Sequence, residues 1–169
     1  DTLVFDSGAL SLTGGSDLLV SAIANTGPGA APIQLLAADA EGSSLVRDAA
    51  TPAALQVVHA APTVGDAEVF VSSDSLGLAD VELIDSLDYL QVVPSASSRV
   101  NVSPAADYRV KVAQADTGAD AALIDVAGVA LEAGQAYTVV ATGGSNGTAA
   151  QLLLTPDDDR SVATEARVK

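Results

Sequence analysis

The chain of 169 residues carries 22 acidic against 7 basic residues, a net charge of −15, and no cysteine. This balance repels phosphate backbones and anionic lipid, which argues against nucleic-acid partners, and the missing thiols exclude a disulfide framework, a thiolate metal site and a cysteine nucleophile. Hydrophobic residues make up 49% but aromatics only 3%, so any core is built from Val, Leu, Ile and Ala. No apolar run approaches the roughly 18 residues that a membrane-inserted helix needs.

In chain order, residues 1–46 are predicted to supply three strands, Leu3–Leu12, Leu18–Ala24 and Pro32–Ala37. A polar, acidic segment, Ala37–Ala54, follows, with residues 47–53 as a linker. The next strands are Leu55–Ala60 and Ala67–Ser72, whereas Leu76–Leu90 reads as a short helix or an irregular crossover. Arg99–Ser103 and Tyr108–Val112 alternate cleanly. Val100, Val102, Tyr108, Val110 and Val112 face one side; Arg99, Asn101, Arg109 and Lys111 face the other. Pro104–Asp107 supplies a turn between them, which predicts a hairpin-like pair. Within Ala122–Leu131 the apolar phase slips by one residue, so a β-bulge is expected at Ala127-Gly128 and a similar slip around Gly8. Ala136–Thr142 and Ala150–Thr155 complete the set, with Asn146-Gly147 as a tight-turn signal between them and a second acidic segment, Pro156–Ala166, behind. No useful stretch keeps a 3.6-residue period, and the expected class is all-β.

The chain also repeats itself. Leu12 and Leu131, Gly15 and Gly134, Val20 and Val139, Ala22 and Ala141, and Asp6 and Asp125 all match at an offset of 119, and Gln34-Leu35-Leu36 answers Gln151-Leu152-Leu153 after a slip of two. Residues 1–46 thus read as the C-terminal half of one repeat, and residues 54–158 as a complete one. Residues 159–169 read as a linker and the start of a further repeat at Arg167-Val168-Lys169. With no Met at its start, Asp1 reads as a processed or excised end. Arrays of this kind usually serve as spacers or binding surfaces. Three strands with one apolar face cannot close a sandwich, so Leu10, Leu12, Leu18, Val20, Leu35 and Leu36 need a partner surface. It is expected from upstream sequence or from a neighbouring copy adding strands in trans.

Val57-Val58-His59-Ala60-Ala61-Pro62 followed by Ala67-Glu68-Val69-Phe70-Val71 resembles the opening of the domain of unknown function 4397 family, "VVHASPDAP…VDVYV". Pro104-Ala105-Ala106-Asp107-Tyr108-Arg109-Val110 is similar to the family's "PAGTYTVRV", departing at Ala106 where the family carries Gly. Leu131-Glu132-Ala133-Gly134-Gln135-Ala136-Tyr137-Thr138-Val139 is similar to its "LEAGQAYTV". The resemblance covers residues 55–155, with 1–46 matching the family's C-terminal half. It implies an Ig-like antiparallel β-sandwich, usually in tandem in secreted or cell-surface proteins of bacteria and archaea, and it brings no catalytic residue or cofactor.

Chemistry-bearing patterns are few. His59 is the only histidine, and its alternation with Leu55 and Val57 favours a hydrogen-bonded structural role over a functional one. No nucleophile elbow, P-loop, dinucleotide fingerprint or EF-hand loop is present. Tyr89, Tyr108 and Tyr137 are too dispersed for a nucleic-acid platform; Tyr108 and Tyr137 read as core residues with a hydroxyl at a rim. Asn101-Val102-Ser103 and Asn146-Gly147-Thr148 fit the glycosylation pattern. Asp157, Asp158 and Asp159 form a weak calcium candidate at the repeat junction, for which Asp125 or Glu165 would have to supply further oxygens. Its counterpart in the first copy holds only Asp39 and Glu41, and a hydrated linker explains the run as well. The function expected from these observations is a non-enzymatic, extracellular structural repeat of a prokaryotic surface stalk, adhesin shaft or filament, without cofactor or metal. Its partners are other copies or adjacent repeats. The alternative is a ligand-binding module for glycan that uses the loops at one end, which five aromatic residues in all disfavour. A hydrolase ranks third.

Overall fold

Alternating small and branched side chains produce strands almost throughout the computed structural model, which describes residues 2–12, 14–15, 17–95, 98–144 and 149–157. The first three, β1 (Leu19–Ala24), β2 (Ile33–Ala38) and β3 (Ser43–Val46), form an antiparallel sheet in that order. The remaining strands are β4 (Ala53–Ala60), β5 (Ala67–Ser73), β6 (Leu78–Leu87), β7 (Val92–Val93), β8 (Val100–Val102), β9 (Ala105–Gln114), β10 (Ile124–Leu131), β11 (Ala136–Thr142) and β12 (Gln151–Asp157). They make two sheets, one ordered β10-β9-β5-β6 and the other β12-β11-β4-β7, with β8 also pairing with β4. Every pairing is antiparallel except β11 with β4, which run parallel.

The two larger sheets enclose one core. Leu55 and Val57 of β4, Tyr137 and Val139 of β11, Val69 of β5, Tyr108, Val110 and Val112 of β9, and Ile124 and Leu131 of β10 are buried together. Inward and outward residues alternate along β4 and β9, as a sandwich requires. Arg109 is exposed on the outer face of β9. Val102 and Leu152 are half-buried against the core, and Val100 is half-buried. The chain is therefore an all-β protein with a β-sandwich at 53–157. At Gly128, where φ is +72°, the β10–β9 register shifts between Val126 and Val129, so the bulge lies where the phase slip of the sequence placed it.

Several expectations are corrected. The predicted hairpin of Arg99–Ser103 with Tyr108–Val112 does not form: β8 pairs with β4, whereas β9 pairs with β5 and β10 in the opposite sheet. Alternation fixes which side of a strand is apolar, and a core between two sheets accepts that side from either one. Residues 76–90 hold neither helix nor irregular crossover but the ten-residue β6. Register shifts against β5 put buried Ile84 and Leu87 three residues apart, which hides the two-residue period. Leu3–Leu12 is not a strand. Asp6 diverts the backbone instead: its carboxylate accepts from Gly8 N–H at 2.8 Å, its N–H donates to Asp48 Oδ2 at 2.8 Å, and its carbonyl accepts from Ala49 N–H. Gly8 has φ +63° with no ladder around it. The third strand of the first sheet is β3, inside the segment read as polar connection. The Asn146-Gly147 turn lies outside the described residues.

On the outer face, Arg109 grips Asp125 through two hydrogen bonds of 2.6 and 2.5 Å, and Lys111 pairs with Asp80 at 2.7 Å. Each contact lowers the pKa of its carboxyl. Asp107, at the start of β9, accepts from the Ser73 and Ser75 hydroxyls at 2.7 Å each and from Ser75 N–H at 2.8 Å, which brings its pKa down from 3.8 to about 2. A carboxyl lowered on folding contributes stability in full above its unfolded pKa and loses it as pH falls through the folded one. Glu82, raised by desolvation and by Asp85 and Glu68, acts in the opposite sense. The melting-temperature difference between wild type and Asp107→Asn is therefore expected to hold steady above pH 4 and to vanish near pH 2. Thermal melts across that window check it; a difference that grows on acidification contradicts the assignment.

Candidate functional site

His59 ends the inward row of β4 and is fully enclosed. Its Nε2–H donates to the Gly65 carbonyl at 2.6 Å, Nδ1 accepts from Ala61 N–H at 3.4 Å, and the Tyr89 ring meets it edge-on at 6.0 Å. Both ring nitrogens are used within the fold, so the imidazole ties the β4–β5 loop to the sandwich. The tyrosines follow the same logic. Tyr108 is buried and donates to the Ser103 carbonyl at 2.7 Å, fastening the crossing from one sheet to the other, and the Tyr137 hydroxyl accepts from Glu132 N–H at 3.0 Å. Burial raises the pKa of both phenols.

Between the three-stranded sheet and the sandwich lies an open cleft of about 840 Å³, lined on one side by Pro28, Gly29 and Arg47 and on the other by Arg99, Asn101, Gln135 and Asp157. Its connecting strap, residues 47–53, is packed rather than free: Thr51 is buried, and its carbonyl accepts from Gly134 N–H at 3.3 Å. The glycines here are required by contact. A Cβ on Gly134, where φ is +68°, would lie 2.1 Å from Arg47 Cδ, and one on Gly27 would lie 2.2 Å from an Arg47 guanidinium nitrogen. The sequence did not single out Arg47; its signal was a lone cation inside the acidic segment Ala37–Ala54, the first Lys or Arg in the chain.

Of the calcium candidates, Asp158 and Asp159 lie outside the described residues. Asp157 is buried at the end of β12, where its carboxylate meets Arg99 at 2.7 Å and accepts from Thr138 Oγ1 at 2.9 Å. Arg99 in turn donates to Gln56 Oε1 at 3.1 Å. The guanidinium thus already neutralises the one described member of the run. Among the described residues no group of three or more His, Asp or Glu could hold a metal ion. Asp125, one of the two further donors expected, is paired with Arg109 across the β9–β10 ladder; Glu165, the other, and the expected repeat start at Arg167-Val168-Lys169 lie outside the described residues. Asn101 is exposed on β8, and Asn146 is outside the described residues. Removing one partner of an enclosed ion pair strands the other. Arg99→Ala is expected to destabilise by about 2–3 kcal/mol, below the ~3–5 of a wholly enclosed pair, because Thr138 still donates to Asp157. Urea titration measures it; a loss under half a kcal/mol refutes the pair's role.

The two segments that match by sequence offset each form an antiparallel hairpin. In β1–β2 the register pairs Leu19 with Ala38 and Val20 with Ala37; in β11–β12 it pairs Thr138 with Thr155 and Val139 with Leu154. Adding 119 to the first member and 117 to the second converts one register into the other, pair for pair. The two hairpins thus share one register at the offsets found in the sequence. The two hairpins differ in their surroundings: β11 has β4 as its second neighbour, whereas β1 pairs only with β2 among the described residues.

No helix of the described residues is long and apolar enough to cross a membrane. No curated protein and no solved structure matches the chain. A family model does: that of "Domain of unknown function (DUF4397)" matches residues 53–169, from the first residue of β4 onward. With well over half of its length matched, the chain belongs to the DUF4397 family.

Proposed function

We propose that this chain is a non-enzymatic structural repeat of an extracellular prokaryotic stalk, adhesin shaft or filament, in which sandwich units and half-units of one kind follow one another in series. The observation that carries the reading is the duplicated hairpin: a module whose supersecondary unit recurs in the same register is built for serial stacking. The charge of −15 suits a surface that stays hydrated in a crowded, saline exterior. The polar groups that sequence reading weighed for chemistry, His59, Asp157 and the tyrosine hydroxyls, hold the fold together, so the module takes neither metal nor cofactor in this reading. The glycan-binding alternative rests on the cleft with Arg47, Asn101 and Gln135, but the lining offers no aromatic ring to stack on a sugar. Immunogold labelling of intact source cells with antibody against residues 53–157 tests the proposal. Label along surface fibres or stalks is expected, and label confined to the cell interior overturns it.

A further inference from the structure

Strand register builds the floor of the cleft. Asp157 of β12, Ala136 of β11, Ala54 of β4 and Asn101 of β8 stand side by side in one row, with alanines in the middle. Their neighbours Ala53 and Leu55 are buried, so alternation turns this row away from the core. Arg99, one residue before β8, lies across the floor, donating to Gln56 Oε1 at 3.1 Å and meeting Asp157 at 2.7 Å. Arg47 enters from the other side. Its stem runs so close to Gly27 and Gly134 that a Cβ on either would collide with it. Its guanidinium makes one long hydrogen bond, 3.4 Å, to the Oε1 of buried Gln34 and no ion pair with any described residue. In a chain with 22 acidic side chains, a half-buried cation is thus held apart from every described one of them. We infer that the cleft is a binding site for an acidic sugar, a ligand with one carboxylate set among hydroxyls, and that Arg47 takes the carboxylate. The inference goes beyond the shaft reading and does not depend on it.

Charge and hydrogen-bonding capacity select the ligand class. The charged groups in the described lining are Arg47, Arg99 and Asp157, and Arg99 already neutralises Asp157, which leaves one cation in a chain of net charge −15. A guanidinium held in place presents a planar fork that matches a carboxylate through two parallel hydrogen bonds. One cation suits one carboxylate; a polyanion such as an acidic peptide brings further charges against an acidic surface. The remaining polar lining is amide. Asn101 is exposed and hydrogen-bonds to no described residue, so its donor and its acceptor are both available. Gln135 spends Nε2 on the Ala136 and Asp157 carbonyls and keeps Oε1 as an acceptor. Donors and acceptors side by side match hydroxyls, which do both. The volume of about 840 Å³ is that of a small-ligand pocket. Without an aromatic ring in the lining, selectivity falls on the carboxylate, and a neutral sugar finds little to hold it.

Titration of the full, isotope-labelled chain with D-glucuronate at low salt, followed by NMR, tests the inference. Saturable shifts are expected at the Asn101 and Gln135 side-chain amides and at the Arg47 Nε–H. Glucose, which lacks the carboxylate, should bind at least about tenfold more weakly, and acetate, which lacks the hydroxyls, at least about threefold. Arg47→Lys keeps the charge and loses the fork, so binding should weaken at least about tenfold. Asn101→Ala removes an amide that the described fold does not use, and should weaken binding about threefold with the melting temperature unchanged. Should Arg47→Lys lower the melting temperature, Asn101→Ala alone decides. No saturable shift, equal binding of glucose, or full affinity in a variant that melts like wild type overturns the inference. A tri-aspartate peptide that binds as tightly as glucuronate makes the cleft a peptide site and overturns it as well. So does binding that appears only when Asp158→Asn and Asp159→Asn are combined, because Arg47 would then serve the chain's own carboxylates.

Discussion

Tyr108→Ala is expected to destabilise the sandwich by about 3–5 kcal/mol, the usual range for removing an enclosed aromatic ring. The ring sits at 2% exposure in the core, flanked along β9 by Val110 and packed with residues of both sheets. Tyr108→Phe separates the ring from the hydroxyl. It keeps the packing and loses only the bond to the Ser103 carbonyl, so a loss of about 1 kcal/mol is expected, because Ser103 is exposed and water can take over the acceptor. Denaturant melts of the two variants decide the matter. If Phe costs as much as Ala, the hydroxyl anchor of the sheet crossing outweighs the ring, and the account of the core given above is wrong.

His59→Ala carries the second-largest expected effect, about 2–4 kcal/mol, from a cavity left between sheet and loop and from two lost hydrogen bonds. The shortest of them, 2.6 Å to the Gly65 carbonyl, holds the segment that leads from β4 into β5. Proteolysis should accordingly find a new cut between residues 60 and 67 in the variant. Accessibility gives an independent check. An imidazole at 0% exposure should resist acylation by diethylpyrocarbonate in the native protein and react once the chain is unfolded in urea. Rapid modification in the native state would mean that the side chain is open to solvent and would reopen a chemical role.

Much of this architecture was legible because alternation survives wherever a strand is straight. Leu55, Val57 and His59 on β4, and Tyr108, Val110 and Val112 on β9, lie inward as their spacing required. Gly128 announced its own bulge, since the phase slip and the residue that tolerates positive φ coincide there. Legibility failed where bulges came without glycine, as along β6, and where choice of sheet was at stake, as with β8. Neither is encoded in local period: partner choice is a property of the closed core. It failed also at Asp6, whose side chain competes for backbone donors that a pattern of Leu and Val had assigned to a ladder. Beside the candidate site, the shared register of the two hairpins has its counterpart in two sequence offsets. The packing of Arg47 against Gly27 and Gly134 was not legible, because it joins three segments far apart in the chain, at positions 27, 47 and 134.

The parallel contact between β4 and β11 also governs when the sandwich can close. Ala54 lies opposite Ala136, so a ribosome must add about 80 residues between the two strands, which at 5–20 residues per second takes roughly 4–16 s. Throughout that interval β4 lacks its central neighbour, and pairings of such long span place a chain among the slower folders. By then β1 and β2 have already emerged, and their pairing closes only a short loop. Synthesis order thus completes the local hairpin early and the parallel pair late, and the enclosed row of Leu55, Val57 and His59 closes only with the second.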